Sequence, residues 1–268
     1  MITPMVRELR RTYPDSFIAT LTQPDAIDIF LYNPNVDISL ADDLRRESFW
    51  DVVRELRKYE FTDGLLVMPT KRAAYQMFFA GVKNRIGVGH ILYEVLTFMK
   101  GISRNKYVPL RHESDYCMDL ARKIGVTTNN LQPEIFVTTE ERNHALNILN
   151  GFDIFVDDKK IFIHTGSGGS SPNWSENKYF LLIKEILDKY QNPELKVILT
   201  AREMSSEFRN RIRTLDQKRI KDVSISYTSL RELITIISHA DVLISSSTGP
   251  LHLANALNVG CIGLYCHR

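Results

Sequence analysis

Short runs of aliphatic and β-branched residues alternate along the chain with longer runs in which apolar residues recur every three or four positions. This alternation predicts parallel sheets with helices on both faces. In the first half, the pattern predicts strands at 17–21, 36–40, 65–68 and 85–88, and helices at 1–13, 26–32, 49–59, 72–80 and 115–124.

The second half repeats the pattern, with predicted strands at 161–164, 196–199, 223–225, 242–245 and 261–264, and helices at 177–190, 206–215, 230–239 and 250–257. A helix at 140–149, opened by a capping box of Thr138 and Glu141, links the two halves. The predicted fold class is therefore α/β, with two doubly wound domains, residues 1–150 and 151–268, that face each other across a cleft. In such sheets, ligands bind outside the carboxyl ends of the strands.

Both ends of the chain look cut inside a folding unit. The helix at 1–13 has no strand before it, and the chain stops three residues after the strand at 261–265, with no helix to cover it. We expect the first strand of the first domain and the C-terminal segment of the second domain to be missing from this sequence.

The net charge of +2 gives no general attraction to nucleic acid. No run approaches the roughly 20 apolar residues that span a bilayer. The bases are nevertheless concentrated, because eight basic residues and one acid, Glu94, lie between Lys71 and Arg111, around the apolar run 91–101. This basic stretch is either an ordinary solvated face or a surface for an anionic partner such as a membrane.

Two polar loops follow strands of the second half. The first polar loop, residues 165–171, combines three glycines with four hydroxyl side chains: Gly166, Gly168 and Gly169 with Thr165, Ser167, Ser170 and Ser171. Glycines let the backbone approach a ligand closely, and a helix that starts just after the loop provides free N–H groups for an anion. The loop matches neither a P-loop nor the dinucleotide-binding pattern, and most such loops are only turns.

The second polar loop, residues 247–252, joins the strand at 242–245 to the next helix. Ser247, Thr248 and Gly249 precede Pro250, which suits a first helical turn because its missing N–H would have no partner there. His252 lies in the same turn, either packed as an ordinary helical histidine or directed at the loop. Because both loops are expected at one edge of the sheet, together they predict a cradle for a diphosphate.

The segments "HTGSGGSSPNW" and "SSSTGPLHLANALNVGCIGLY" resemble two signature regions of glycosyltransferase family 9, the heptosyltransferases of lipopolysaccharide core assembly. In the first half, "RELRRTYPDSFIATLT", "PTKRAAYQMFFAGVKNRIGVG" and "RHESDYCMDLARKIGV" resemble the acceptor-side domain of that family in order and spacing. The resemblance implies two Rossmann-like domains in the GT-B arrangement. It also implies inverting transfer of a sugar from a nucleotide sugar, typically ADP-heptose, to an anionic lipid-linked acceptor. Neither metal nor cofactor is implied, and the protein would be cytoplasmic and peripheral on the inner membrane.

The resemblance also implies roles for particular residues. The donor phosphates would be held from one side by Thr165, Gly166, Ser167, Gly168 and Gly169, and from the other by Ser247, Thr248, Gly249, Pro250 and His252. A carboxylate after the next strand would hold the ribose, with Glu203 and Glu207 as the two candidates. Lys71 and Arg72 would face the acceptor.

The sequence departs from the family pattern in two places. Many members have Asp where this chain has Ser247, although a hydroxyl still donates to phosphate. The family's general base, an Asp in a Gly-Asp loop after the first strand, would precede Met1, so the catalytic residue is unassigned. We therefore expect little or no transferase activity from the chain as given.

Two other functions stay open at this point. A catalytically inactive, truncated remnant would bind a nucleotide sugar without transferring it, and upstream DNA encoding a strand with Gly-Asp would favour the enzyme instead. A nucleotide-sugar epimerase has a similar two-domain shape, but the basic, apolar stretch suits a lipid acceptor better. The identity of the sugar, the nucleotide and the acceptor hydroxyl is not determined by the sequence.

Overall fold

The structure, a computed structural model, describes residues 1–46, 48–88, 92–102, 111–169 and 172–265. The chain forms two compact units, Met1–Pro133 (unit 1) and Glu134–Arg268 (unit 2). In unit 1 the elements are α1 (Thr3–Thr12), β1 (Ala19–Thr22), a 3-10 helix (Pro24–Ile29), β2 (Ile38–Ala41), α2 (Phe49–Arg57), β3 (Asp63–Leu65), α3 (Lys71–Phe79), β4 (Asn84–Gly87), α4 (Leu92–Leu96), β5 (Lys100–Gly101) and α5 (Glu113–Arg122).

The strands of unit 1 are all parallel to their neighbours, and the described residues form two separate sheets. One sheet pairs β1 with β2, and the other has the order β3-β4-β5. Met5 of α1 packs with Ile86 of β4 and Met118 of α5 in one buried cluster, so these two helices cover a face of the second sheet. Within the described ranges, none of the helices is both long and apolar enough to cross a bilayer.

Unit 2 contains α6 (Thr139–Asn150), β6 (Lys159–His164), α7 (Glu176–Lys189), β7 (Leu195–Leu199), α8 (Ser206–Ile212), β8 (Ile220–Asp222), α9 (Leu230–Ile237), β9 (Val242–Ser246), α10 (Gly249–Ala256) and β10 (Gly260–Leu264). Its described strands form one parallel sheet in the order β10-β9-β6-β7-β8. This is the Rossmann strand order, in which the chain builds outward from a central first strand and then returns to that strand's other side.

The two faces of this sheet carry separate hydrophobic clusters, as the period-2 alternation of strand side chains requires. Phe162 of β6 lies in a cluster with α6, α9 and α10, whereas its neighbour Ile163 lies in a cluster with α7 and α8. Both side chains are fully buried. Helices therefore cover both faces, and the doubly wound arrangement predicted for the second half is confirmed.

The sequence placed most of these elements within a few residues, but one strand differs. A strand was predicted at 223–225, whereas β8 is Ile220–Asp222. The Asp222 carboxylate accepts a hydrogen bond from the Ser224 amide at 3.0 Å, which turns the chain directly after β8. The helix predicted at 26–32 is a 3-10 helix, and α4 and β5, which lie within the run 91–101, were not predicted.

The structure divides the chain into its two units after Pro133, whereas the sequence predicted the boundary after Asn150. The linking helix α6 belongs to unit 2, because Ala145 and Leu149 are completely buried in the core of that unit. Its predicted capping box of Thr138 and Glu141 is present.

Candidate functional site

The two polar loops lie side by side at one edge of the unit 2 sheet. They follow β6 and β9, which are hydrogen-bonded neighbours with His164 opposite Ser245 at their carboxyl ends. The chain leaves β6 toward β7 and β8 on one side and later returns to β9 on the other side. The gap between β6 and β9 is therefore the topological switch point of the sheet, where doubly wound proteins bind their ligands.

The backbone of the first polar loop favours glycine at two positions. Gly168 and Gly169 have φ angles of 52° and 73°, in the left-handed region that other residues rarely adopt. Within the described residues, a Cβ atom at either position would meet nothing within 4 Å. Glycine is therefore favoured there by the backbone conformation and not by a lack of space. Ser170 and Ser171, two of the four hydroxyl residues noted in the sequence, lie outside the described residues.

One partly buried hydrogen-bond network fixes the start of this loop. The Asn173 side chain donates to the Thr165 carbonyl at 2.5 Å and accepts from the Tyr179 hydroxyl at 2.8 Å. Tyr179 is fully buried, and its hydroxyl lies beside Ser246 at the end of β9. Asn173 therefore ties the first polar loop to α7 and, through Tyr179, to the strand that leads into the second polar loop.

The second polar loop leads into a helix whose first amides are not capped by a side chain. Thr248 is the N-cap of α10, but its hydroxyl is hydrogen-bonded to the Ser245 hydroxyl at 3.0 Å instead of capping the helix. The first turn of α10 contains no acidic residue, so its positive dipole end is not neutralised there. An uncapped N-terminus beside Ser247 and Gly249 is suited to bind an anion.

Other helices of unit 2 show that this difference is local. Helices α6, α8 and α9 each have a side-chain cap, from Thr138, Ser205 and Ser229. Helix α7, which follows the first polar loop, also has no side-chain cap, but Glu176 in its first turn provides a negative charge. The two uncapped helices are those that follow the polar loops, and of the two α10 is the better anion site.

Glu203 is the carboxylate that reaches the first polar loop. A Cβ atom built on Gly166 would overlap the Glu203 Oε2 atom and lie 3.1 Å from its Cδ and 3.3 Å from His164 Nε2. Glu203 therefore lies directly against the loop backbone while its residue stays exposed. Glu207, the second candidate, is an exposed residue in the first turn of α8, and nothing in the structure brings it to the loop.

His164 is held neutral beneath the loop. The residue is buried, and its Nδ1 lies 3.0 Å from the Thr200 hydroxyl at the end of β7. Burial lowers the pKa of His164 to about 4, partly opposed by the negative charge of Glu203. Thr200 also takes part in a second hydrogen bond, since its carbonyl is 2.7 Å from the Tyr227 hydroxyl that donates to it. The Arg202 guanidinium lies over the Tyr227 ring, 4.3 Å from the ring centre.

Acidification is expected to destabilise the fold through His164. Because its pKa falls from 6.5 to about 4 on folding, the unfolded chain binds more protons between these two values. The free energy of unfolding should therefore decrease as pH falls through this window, by about 3 kcal/mol in total. Denaturant unfolding measured between neutral pH and about pH 4.5 gives this slope.

The variant His164→Asn should lose most of that slope, whatever its stability at neutral pH. Burial also lowers the pKa of His239, so His239→Asn is the matched control and should remove only the contribution of His239 to the slope. Carboxylates such as Asp42 and Glu141, whose pKa values are lowered, act at lower pH. An unchanged slope in His164→Asn would show that this histidine is not buried neutral.

The two residues predicted to face an acceptor differ in their surroundings. Both lie in the first turn of α3, where Lys71 is exposed and Arg72 is half-buried. The Arg72 guanidinium donates two hydrogen bonds to the Asp42 carboxylate, from Nε at 2.8 Å and from Nη2 at 2.7 Å. Gln76 donates to the same carboxylate at 3.0 Å. Arg72 therefore anchors α3 to the end of β2, whereas Lys71 extends into solvent.

Several residues of the site were not singled out in the sequence. His164, Asn173 and Tyr179 lie in or beside the segment quoted as a family signature, but their roles depend on contacts with Thr200 and Ser246, which come from other strands. One indication of these residues was present in the sequence, which was their position next to the glycine-rich loop. A polar side chain beside such a loop is a candidate for a hydrogen bond that holds the loop in place. Arg202 and Tyr227 carried no comparable signal.

The strand order and the paired loops define a doubly wound α/β protein of the nucleotide-binding class. The sequence profile of glycosyltransferase family 9 (heptosyltransferase) matches residues 49–268, and the chain therefore belongs to this family. It is a glycosyltransferase, as the sequence predicted. A putative glycosyltransferase of Haemophilus influenzae is 25% identical over 244 residues, which cover 87% of this chain and 68% of that protein.

Solved structures of the same family share the fold. The glycosyltransferase family 9 protein of Veillonella parvula matches with a TM-score of 0.84 and 20% identity, over 98% of this chain and 76% of that chain. The ADP-heptose lipopolysaccharide heptosyltransferase II of Escherichia coli matches with a TM-score of 0.75 and 19% identity, over 98% of this chain and 80% of that chain. The α/β fold with parallel sheets is thus that of the GT-B glycosyltransferases.

Proposed function

We propose that the chain transfers heptose from ADP-heptose to an anionic, lipid-linked acceptor of the lipopolysaccharide core. The observation that supports binding of the nucleotide-sugar donor is the pair of polar loops at the switch point between β6 and β9. Similarity to a relative described as an ADP-heptose lipopolysaccharide heptosyltransferase supports the choice of sugar and acceptor. A chain that works on such an acceptor would be peripheral on the inner membrane.

In this proposal the diphosphate lies against the first turn of α10. The amides of that turn and the Ser247 hydroxyl donate to one side of it, and Ser167 and the glycine backbone of the first polar loop donate to the other. Thr248, whose hydroxyl is hydrogen-bonded to Ser245, positions the start of the turn. His252 and Pro250 complete the second side. Glu203 accepts from the ribose hydroxyls, as the acidic residue after the second strand does in Rossmann-type sites.

The proposed reaction is a single displacement at the anomeric carbon. The acceptor hydroxyl oxygen forms the new bond, its proton passes to a base, and the bond to the diphosphate oxygen breaks with its electron pair on the leaving nucleotide. The donors around the diphosphate stabilise that negative charge, typically by a few kcal/mol for each donor. The configuration at the anomeric carbon is inverted because the hydroxyl attacks from the face opposite the leaving diphosphate. Lys71 would contact an anionic group of the acceptor.

A donor screen tests the first half of the proposal. ADP-heptose or ADP at about 100 times its dissociation constant should stabilise the chain by about 3 kcal/mol, seen as a higher melting temperature. GDP- and UDP-sugars at equal concentration should stabilise it much less. If no nucleotide raises the melting temperature, the site assignment is wrong.

The second half is tested by incubating the chain with ADP-heptose and a lipid A–Kdo acceptor and measuring the mass of the glycolipid. Addition of one heptose supports the transferase, and donor binding without any product supports the binding-only alternative. The variant Lys71→Ala should raise the KM for the acceptor and leave the donor-induced melting shift unchanged.

A further inference from the structure

Unit 1 exposes a large apolar surface that the donor site does not use. Its side chains come from the start of α2, the end of α3, and α4 with the turn that follows it. We call this surface the aromatic patch; it consists of Trp50, Phe79, Leu92, Val95, Leu96 and Phe98. The exposed fractions reach 54% for Trp50, 74% for Leu92 and 76% for Phe98. Contiguous apolar surface of this kind typically marks a binding face.

The aromatic residues form one continuous surface instead of isolated exposures. The ring centres of Trp50 and Phe79 are 5.2 Å apart, those of Phe79 and Phe78 are 5.3 Å apart, and those of Phe78 and Phe98 are 6.3 Å apart. Each spacing lies within the range of direct aromatic contact. Three segments that are distant in sequence are thus joined into a single face.

Phe98 is held in an unusual backbone conformation. Its φ angle of 51° is in the left-handed region, which a bulky side chain rarely adopts because of steric strain. In this conformation its ring is the most exposed aromatic side chain of the patch. This φ angle belongs to the turn that ends α4, where the Met99 amide donates to the Glu94 carbonyl at 2.9 Å, and the turn presents the ring to solvent.

Basic side chains border the aromatic patch. The Arg57 Nε donates to the Phe79 carbonyl at 2.9 Å, and the Arg85 guanidinium lies 5.2 Å from the Phe78 ring centre. Lys83 is exposed between them in sequence, in the turn that follows α3. In the described parts of the chain, these three cations have no carboxylate within ion-pair distance. Glu94, the one acid of the basic stretch, is buried.

We propose that the aromatic patch rests in the interfacial layer of an anionic membrane, with its basic border against the lipid headgroups. Trp and Phe side chains suit this layer, and uncompensated Lys and Arg residues are attracted to anionic lipid. A second copy of this chain is a poorer binding partner for the patch. A symmetric dimer would place the two basic borders against each other, and their like charges would repel. The inference rests on the proposed function in one respect: a lipid-linked acceptor is the reason for the chain to be at a membrane.

Tryptophan fluorescence tests this docking directly. The chain contains two tryptophans, Trp50 and Trp174, and only Trp50 lies in the patch. Vesicles of phosphatidylglycerol and phosphatidylcholine with brominated acyl chains, free of glycolipid, should quench Trp50 fluorescence, and the variant Trp50→Phe should lose this quenching. Added salt should weaken binding, and vesicles of phosphatidylcholine alone should bind much less.

The double variant Trp50→Ser with Phe98→Asn should reduce vesicle binding by about tenfold or more, because two interfacial rings are lost. Phe98→Asn alone should raise the melting temperature, since Asn tolerates the left-handed region, while it lowers vesicle binding. The matched control is Leu181→Ser with Tyr190→Ser, which removes two side chains of similar exposure from unit 2 and should not change vesicle binding.

Three outcomes would overturn the inference. The first is equal binding of the chain to neutral and anionic vesicles. The second is an equal loss of vesicle binding in the patch variant and the control variant. The third is a dimer in gel filtration that the patch variant abolishes. The donor-induced melting shift separates this inference from the proposed function, because it should be the same in the patch variant and in the unmodified chain. Loss of vesicle binding with an intact shift therefore leaves the donor site unaffected.

The basic stretch noted in the sequence is only partly visible in this surface. Six of its eight bases lie in the described chain: Lys71, Arg72, Lys83, Arg85, Lys100 and Arg111. Arg104 and Lys106, and Ile91 of the apolar run, lie outside the described residues. The aromatic patch adds Trp50, which lies outside that stretch, and Phe79, which lies inside it, and neither residue was part of the expectation from charge.

Discussion

Replacing Glu203 with glutamine is expected to weaken binding of the donor nucleotide by about 10- to 100-fold, because hydrogen bonds to a charged group contribute about 1.5–3 kcal/mol. The same change at Glu207 should leave the affinity unchanged. The structure separates the two glutamates, since Glu203 lies against Gly166 of the first polar loop and Glu207 is exposed in the first turn of α8. Isothermal calorimetry with ADP measures both affinities.

The nature of the lost contact can also be measured. If Glu203 accepts from the ribose hydroxyls, the unmodified chain should bind ADP more tightly than 2′,3′-dideoxy-ADP. Glu203→Gln should bind the two ligands about equally, because the carboxylate that distinguishes them is gone. A preference for ADP that survives in Glu203→Gln, or equal losses in the Glu203 and Glu207 variants, would contradict this role.

Replacing Gly166 with alanine is expected to be equally harmful, because the new methyl group would occupy the position of the Glu203 carboxylate. The neighbouring His164 Nε2, 3.3 Å from that methyl group, has little freedom to move because its ring is buried. The glutamate, which is exposed, must therefore swing away. ADP affinity should fall about 10- to 100-fold, to the level of Glu203→Ala.

A double-mutant cycle separates this mechanism from general damage to the loop. If Gly166→Ala acts by displacing Glu203, the double variant with Glu203→Ala should bind ADP no more weakly than Glu203→Ala alone. The matched control is Gly81→Ala, at a left-handed turn in unit 1, which should change stability without changing ADP affinity. Additive losses in the double variant would indicate that the alanine damages the loop itself.

Gly249 provides a cleaner test of ligand approach. In the described part of the chain, a Cβ atom there would meet nothing within 4 Å, so the backbone of Gly249→Val has room for the new side chain's branch point. Any loss of ADP affinity would then come from the side chain blocking the ligand from the α10 amides, as the proposed site requires. Gly166→Ala and Gly249→Val thus test two different roles of glycine. Gly166 leaves space for the Glu203 carboxylate, whereas Gly249 leaves space for the ligand.

Most of the fold could be predicted because it depends on local patterns. The strands of unit 2 are short apolar runs with turn residues at their ends, and all but β8 lie within two residues of their predicted bounds. β8 was displaced because its boundary is set by the Asp222 side chain, which caps the turn and contacts Arg209. A side-chain contact of this kind has no periodic signal.

The candidate site was predicted in part, and the missing part was the support of the loops. Glycines and hydroxyls near Gly168 and Gly249 are visible in the sequence, because polar loops between strands and helices interrupt the apolar pattern. The network of His164, Asn173 and Tyr179 was not visible, because each partner comes from a different element. The choice between Glu203 and Glu207 also needed the position of the loop backbone.

The sequence by itself determined the alternation of strands and helices, the two polar loops and the family resemblance, since all three are properties of neighbouring residues. Only the tertiary structure decided that β6 and β9 are adjacent, which brings two loops about 80 residues apart side by side at the sheet edge where the sequence had predicted both. It also decided that Trp50, Phe79 and Phe98 share one surface. The physical reason is that strand order and helix packing are set by burial of apolar faces between elements distant in the chain, which no local pattern specifies.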